Sequence, residues 1–224
     1  TGLLTSFKYL QHWAPCYDFG IFSQMFNYMK ETLQPLTTCE RDGLLSHFAV
    51  HFSPIYYLLL PFFFIFPSPV TLLMGQAAII ASGLIPLYLI CKRHKLSNAA
   101  VILFSLCYVL LPSMANGCFF FLHENKFLTP LILWLAFALE KNKWIPSVIF
   151  TLLLLAVKED APVYAAVLGL YFIVSRRNIS KGALVFVLSI IYFITVSYFM
   201  SKYGLGTMSY RYDCLLYTSD AADE

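Results

Sequence analysis

Apolar positions run through this chain in long stretches, and the polar positions fall almost entirely at the breaks between them. A helix that crosses a bilayer needs roughly 20 apolar residues at about 1.5 Å of rise each. Residues 70–91 meet that length and end at Lys92-Arg93-His94-Lys95. Residues 97–115 form the next run. Phe127–Leu139, extended by its flanks, stops at Glu140-Lys141-Asn142-Lys143. Ile145–Val157 and Ala161–Val174 are short and flank Lys158-Glu159-Asp160, and residues 182–200 follow the cluster from Arg176 to Lys181. The pattern predicts six crossings over residues 70–200. Val50–Phe66 is apolar as well, but it holds Pro54 and Pro61 and is followed by Pro67 and Pro69. Proline removes helical hydrogen bonds, so this stretch is expected to lie on, or re-enter from, the outer surface as a juxtamembrane segment. A span there would put residues 1–49 on the inner side. Residues 18–49 are polar enough for a loop with amphipathic pieces.

Charge gives these runs a direction. Charged residues are 12 % of the chain against 59 % apolar, where a soluble domain has about 25 % charged, so the chain reads as an integral membrane protein with the lipid bilayer as its partner. Basic loops mark the cytoplasmic side. Between residues 70 and 200, Lys92, Arg93, Lys95, Lys141, Lys143, Arg176, Arg177 and Lys181 fall in one set of alternate loops, and only Lys126 and Lys158 in the other. Glu140 is the one acid, and His94 the one histidine, on the basic side. The reading is a multi-pass protein of the plasma (inner) membrane, with Asp18, His47, His51, His123, Glu124, Glu159 and Asp160 on the extracytoplasmic face. The basic residues are dispersed among loops, which gives no footprint for nucleic acid. The cysteines show no zinc or CxxC spacing and read as small apolar residues, with Cys16 and Cys39 a disulfide candidate on an oxidising face.

The outward polar residues admit two readings each. Asp18 suits a general base or a metal ligand, or the N-cap of a helix through Ile21–Met29. His47 and His51 share one face if helical and can grip a metal, although no HExxH glutamate lies between them; His51 can instead contact a phosphate or sugar hydroxyl, or anchor the segment at the headgroups. His123-Glu124-Asn125-Lys126 opens a helix whose N-terminal amides favour an anion, with Lys126 able to add a phosphate contact, or it is interfacial capping. Lys158-Glu159-Asp160 interrupts two apolar runs at a tight turn, where ionisable residues default to functional hypotheses; Asp160 before Ala161-Pro162 fits an N-cap, leaving Lys158 and Glu159 as site candidates or as a structural pair. No Walker loop, Rossmann fingerprint or GxSxG elbow is present.

The last eleven residues, Cys214–Glu224, change character abruptly and resemble the translation of an adapter end used in transposon-based sequencing libraries. They are expected to be a non-native tail on a fragment that continues at both ends, and without them the net charge becomes +6, fifteen bases against nine acids. Residues 1–213 then form one transmembrane domain, with 1–69 the extracytoplasmic loop and juxtamembrane helices and 70–200 the six crossings.

Four stretches carry a resemblance: Tyr17-Asp18-Phe19-Gly20-Ile21-Phe22-Ser23-Gln24, His51-Phe52-Ser53-Pro54-Ile55, Phe66-Pro67-Ser68-Pro69-Val70-Thr71-Leu72-Leu73 and Val157-Lys158-Glu159-Asp160-Ala161. In order and spacing over about residues 15–175 they resemble a large membrane-protein family of bacteria and archaea, domain of unknown function twenty seventy-nine. Where that family often reads Phe-His-Pro-Glu, this chain has Leu122-His123-Glu124-Asn125, which puts the role of Glu124 in question. The family is similar, more distantly, to the GT-C type glycosyltransferases that use polyprenyl-phosphate sugars, with an acidic residue in the first extracytoplasmic loop followed by juxtamembrane helices. The resemblance implies an all-α, polytopic, GT-C-like bundle and inverting sugar transfer. Asp18 would deprotonate or orient the acceptor and share the catalytic role with Glu159. His51, His123, Glu124 and Lys158 would bind substrate and its phosphate leaving group, with a divalent metal as a possible cofactor (candidate ligands Asp18, His47 and His51). A transporter or lipid flippase is the alternative, with Lys158-Glu159-Asp160 on the path; a non-catalytic membrane protein is a third.

Overall fold

The computed structural model describes residues 2–13, 16–41, 43–110 and 122–205, of residues 16–18 the backbone alone. The tail at 214–224 lies outside the described residues. In chain order come α1 (Gly2–Leu10), α2 (Cys16–Thr32), a short antiparallel hairpin of β1 (Leu36–Thr37) and β2 (Leu45–Ser46), 3₁₀ turns at His47–Ala49 and Pro54–Leu58, and α3 (Leu60–Ile65). Then follow α4 (Pro69–Ser82), α5 (Leu84–Arg93), α6 (Asn98–Leu110), a 3₁₀ turn at Glu124–Phe127, α7 (Leu128–Glu140), α8 (Trp144–Leu155), α9 (Ala161–Val174) and α10 (Ile179–Tyr203). The chain is mostly helical, as its apolar runs suggest. The hairpin, with Leu36 opposite Ser46, is a small departure from an all-α reading. It forms where the sequence is least apolar. Cys39 beside it is exposed and free, and the side chain of its expected partner Cys16 lies outside the described residues.

Residues 50–66 do not make one rod. Pro54 opens a 3₁₀ turn and Pro61 the six-residue α3, as expected where proline withholds an N–H. The first of these is stitched to the bundle by Ile55 N–H, which donates to the Ala156 carbonyl at 2.8 Å. α2 lays one face on the same region: Phe19, Phe22, Met25, Phe26 and Met29, spaced three and four apart, are buried with Ile55, Tyr56, Leu59, Leu60 and Phe63, and with Leu72 and Leu73 of α4. This is the i, i+3, i+4 stripe of an amphipathic helix, so the polar-looking N-terminal region is anchored by its hidden apolar stripe.

Among the described residues two helices are long and apolar enough to cross a membrane, Pro69–Arg93 and Ile179–Tyr203, each of 25 residues. Only 28 % and 22 % of their apolar windows is buried. A core helix of a soluble protein would hide most of such a window, so these outward apolar faces suit hydrocarbon. α6, α7, α8 and α9 have 13, 13, 12 and 14 residues, roughly 20 Å each against a hydrocarbon layer of about 30 Å. The six crossings expected from apolar runs are thus two by length. Left-handed residues follow three of the helices: Lys95 after the long Pro69–Arg93, Asn142 after α7 and Arg176 after α9, with φ values of 56°, 54° and 55°; the part of the 97–115 run beyond Leu110 lies outside the described residues. Leu96 N–H and Lys143 N–H reach back to the Cys91 and Ala138 carbonyls at 3.0 and 3.2 Å, the 6→1 closure of a Schellman turn. Each basic cluster holds one such stop.

The helices run back and forth between two polar ends. At the basic end Glu140 receives His94 Nε2 at 3.0 Å, Arg93 Nε at 3.5 Å and Arg177 Nη1 at 3.8 Å. Beside it Asn178 Nδ2 donates to the Leu139 carbonyl at 2.9 Å, and Lys181 bonds Asn142 and covers the Trp144 ring at 4.2 Å. Two glycines let α9 and α10 meet backbone to backbone: a Cβ on Gly169 would come within 2.8 Å of the Gly182 carbonyl, and one on Gly182 within 2.7 Å of the Gly169 carbonyl. Gly20 in α2 has open space instead. Gly169→Val is therefore expected to cost about 1–3 kcal/mol through overpacking, while Gly20→Ala is neutral or gains about 0.5–1 kcal/mol from backbone entropy. Thermal unfolding of the two detergent-solubilised variants, side by side, checks the contrast.

Candidate functional site

The site grows from a turn. Ser46 caps the 3₁₀ turn at His47–Ala49 by accepting from Phe48 N–H, and His51 N–H donates to the His47 carbonyl at 2.8 Å. That one turn of chain brings the two imidazoles together, with centroids 6.0 Å apart and planes tilted by 58°. His47 is buried and meets Glu40 Oε2 through Nδ1 at 2.9 Å. His51 meets Glu159 Oε1 through Nδ1 at 2.9 Å, and the other oxygen of Glu159 accepts Phe52 N–H at 3.0 Å. Burial pushes the Glu159 carboxyl up, but the His51 hydrogen bond, backbone donation and Lys158 outweigh it and hold it below its ordinary value. It is ionised at neutral pH.

A second carboxylate lies deeper. His123 starts the 3₁₀ turn before α7: its N–H donates to the Gln76 side-chain carbonyl at 2.9 Å, and its Nδ1 accepts Asn125 N–H at 3.3 Å. This positions Glu124, only 1 % exposed. Tyr56 donates its hydroxyl to Glu124 Oε2 at 2.6 Å, and Lys158 Nζ stands 3.3 Å from Oε1. Burial opposes the Glu124 charge, yet His123, Lys158 and the Tyr56 hydroxyl together lower its pKa to about 2. Burial also keeps the His123 imidazole below its ordinary value. At neutral pH His123 is uncharged and Lys158 with Tyr56 holds Glu124. In acid His123 protonates first and adds its charge 3.3 Å from Oε2. Tyr56, fully buried beside an anion, is raised well above the usual phenol value.

Of the residues singled out in the sequence, His47, His51, His123, Glu124, Lys158 and Glu159 come together at the end of the helices opposite Glu140. The Phe22 ring sits among them, with centroids 5.5 Å from His47, 5.2 Å from Tyr56 and 6.5 Å from His123. Asp18 belongs to the first turn of α2, four residues before Phe22, and its side chain lies outside the described residues. Asp160 occupies the N-cap position of α9, with Pro162 in the first turn, but its side chain makes no capping bond. Lys126, proposed as a phosphate contact, is buried. His47 and His51 each spend Nδ1 on a carboxylate, and the described residues contain no group of three or more His, Cys, Asp or Glu side chains fit for a metal ion. Glu40, Tyr56 and Gln76 were not anticipated. A glutamine inside the apolar run 70–91 was a visible signal; Tyr56 in an aromatic-rich stretch was not.

The sequence pattern of one family, described as Predicted membrane protein (DUF2079), matches residues 12–219. The chain belongs to that family. The match takes in every residue of the polar cluster and all of α2 to α10. No curated protein and no solved structure matches the chain.

The buried carboxylate makes a measurable acid limb. A glutamate lowered from 4.5 to about 2 adds stability that is fully present above the unfolded value and is lost as pH falls through the folded one. The shift is worth about 3 kcal/mol. Between about pH 5 and pH 2 the melting temperature of the solubilised protein is expected to fall, and in Glu124→Gln this limb is expected to flatten. Glu124→Ala leaves Lys158 and Tyr56 facing no partner, at a cost of about 3–5 kcal/mol. Thermal melts across that pH range read both.

Proposed function

We propose that this chain forms part of a multi-pass enzyme of the plasma membrane, GT-C-like in organisation, that moves a sugar from a polyprenyl-phosphate donor to an acceptor at the extracytoplasmic face. The observation that carries the reading is a charged, partly buried cluster on chain segments that also line an apolar groove. The cluster (His51, Glu159, Lys158, Glu124, His123) sits at the end of the helices away from the basic loops. Basic loops mark the cytoplasmic side, which makes the cluster's end extracytoplasmic. The groove runs between α3 and α4, with a volume of about 730 Å³, and is lined by Leu58, Leu59, Phe62, Phe66, Met74 and Ile79 among others. Leu58 and Leu59 of the groove follow Tyr56, the hydroxyl partner of Glu124, and Gly75 of the groove precedes Gln76, which accepts from His123 N–H. An amphiphile with a long hydrocarbon tail and an ionised, hydrogen-bonding head is the ligand class that fits both.

In this reading Lys158 and His123 face the donor phosphate, and Glu159 and His51 face the hydroxyl that accepts the sugar. Glu124 fixes Lys158. The shorter helices α6 to α9 complete the polytopic bundle, shielded from lipid ends by the N-terminal segment 16–66. Residues 1–69 act as the outer loop with its juxtamembrane pieces, and Asp18 at the head of α2 is a second acid near the same surface.

The full-length protein in lipid nanodiscs, given radiolabelled polyprenyl-phosphate sugars and extracted membrane glycolipids as acceptors, is expected to release polyprenyl phosphate and label the acceptor. Glu159→Ala should lower the rate by roughly 10²-fold or more at unchanged abundance, and Lys158→Arg, which keeps a cation beside Glu124, should lower it while leaving the protein folded. Donor that crosses the bilayer without cleavage would mark a flippase instead, and donor neither moved nor cleaved a non-catalytic protein.

A further inference from the structure

Two of the carboxylates are fully engaged. Glu124 is closed off from solvent, with Oε2 taken by Tyr56 and Oε1 facing Lys158. Glu159 offers Oε1 to His51 and Oε2 to Phe52 N–H. Neither is placed to draw a proton from an incoming hydroxyl. The imidazole of His51 is different. Its Nδ1 is bound to Glu159, its side chain is about one-fifth exposed at 19 %, and among the described residues Nε2 has no partner. A neutral imidazole that donates through Nδ1 keeps its lone pair on Nε2, so the carboxylate fixes both the tautomer and the direction of the open nitrogen. A base oriented by a third group in this way is the general arrangement for activating a hydroxyl. His47 supplies a contrast within the same turn. It has the same Nδ1-to-carboxylate pairing, with Glu40, but is 2 % exposed and its Nε2 is enclosed, so no acceptor reaches it.

We infer that His51 is the catalytic base of this site and that Glu159 is its positioning residue. The inference rests on the transferase reading and deepens it. As the acceptor oxygen forms its bond to the anomeric carbon, the hydroxyl proton passes to His51 Nε2. The bond from the anomeric carbon to the phosphate oxygen breaks, and its electron pair leaves with the polyprenyl phosphate. The imidazolium so formed lies against the Glu159 carboxylate and returns its proton to solvent when product departs. One lone pair is used and one leaving group expelled, which needs no further reactant.

The test has two arms on the full-length protein in nanodiscs. In the first, His51→Ala is expected to lower kcat by roughly 10²-fold or more with the donor KM little changed, and added imidazole is expected to restore part of the rate. Glu159→Gln should lower kcat by less than His51→Ala does. His51→Ala with wild-type kcat at equal abundance, or a loss that imidazole leaves untouched, overturns the assignment. So does loss of transfer in Asp18→Asn with His51→Ala still active, since the base is then Asp18. The second arm needs no substrate. Nitrogen-15 histidine spectra are expected to show neutral His51 protonated on Nδ1 in the wild type and redistributed in Glu159→Ala; a wild-type proton on Nε2 overturns the pairing itself. Wild-type protein that transfers no sugar fails the transferase reading, and the tautomer result separately tells whether the pair is built as described.

Discussion

A single buried carboxylate, Glu124, is the constraint around which the polar end of this protein is arranged. Desolvating an isolated charge costs several kcal/mol even after relaxation, so Glu124 is tolerable only where its oxygens are met. Two partners come from distant parts of the chain, Tyr56 from the N-terminal segment and Lys158 from between α8 and α9, and a third, His123, is its neighbour in the same turn. To satisfy that one group, the turn that carries Tyr56 has to close against the helices that follow. Glu159, one residue from Lys158, is thereby delivered to His51, and the site is a consequence of how the buried charge is answered.

The apolar surface responds to a different solvent. α4, α5 and α10 expose most of their apolar windows, and Ile190, Ile191, Ile194 and Phe199 project outward along α10. Water would penalise that surface; lipid tails do not. What holds helices together in such surroundings is close van der Waals packing, and the mutual approach of Gly169 and Gly182 is that principle where α9 meets α10. The 3₁₀ turns and short helices of residues 47–66 put irregular backbone at the polar end, where its N–H groups find carbonyls such as that of Ala156.

Much of this was legible in the chain before folding. The apolar runs announced helices, the proline pairs in 50–69 announced their interruption, and Lys158-Glu159-Asp160 stood out as charge where charge is expensive. Helix length was the weak point. The basic clusters did mark where Lys95, Asn142 and Arg176 stop their helices, without glycine at any of the three positions; what the apolar runs did not reveal is that α7, α8 and α9 would have only 13, 12 and 14 residues. The partners of the site were readable only in part. Histidine and glutamate attract notice by type, whereas Tyr56 earns its role by lying, once folded, 2.6 Å from an acid 68 positions away. The division of labour between Glu124 and Glu159 is likewise invisible in sequence, since both are glutamates beside a histidine or a lysine, and burial alone separates them.

At the opposite end, Glu140 gathers Arg93 and His94 from one connection and Arg177 from another. These loops leave the ribosome at different times. When α7 has just been made, Glu140 already has Arg93 and His94 to bind, but Arg177 arrives only after α8 and α9 have been threaded. The pairing is divided by sequence order: the partners on and after α5 precede Glu140 in the chain, and Arg177 follows it by 37 positions, beyond α8 and α9. The order of synthesis, and not only the final geometry, is written into which loop holds the acid and which hold the bases.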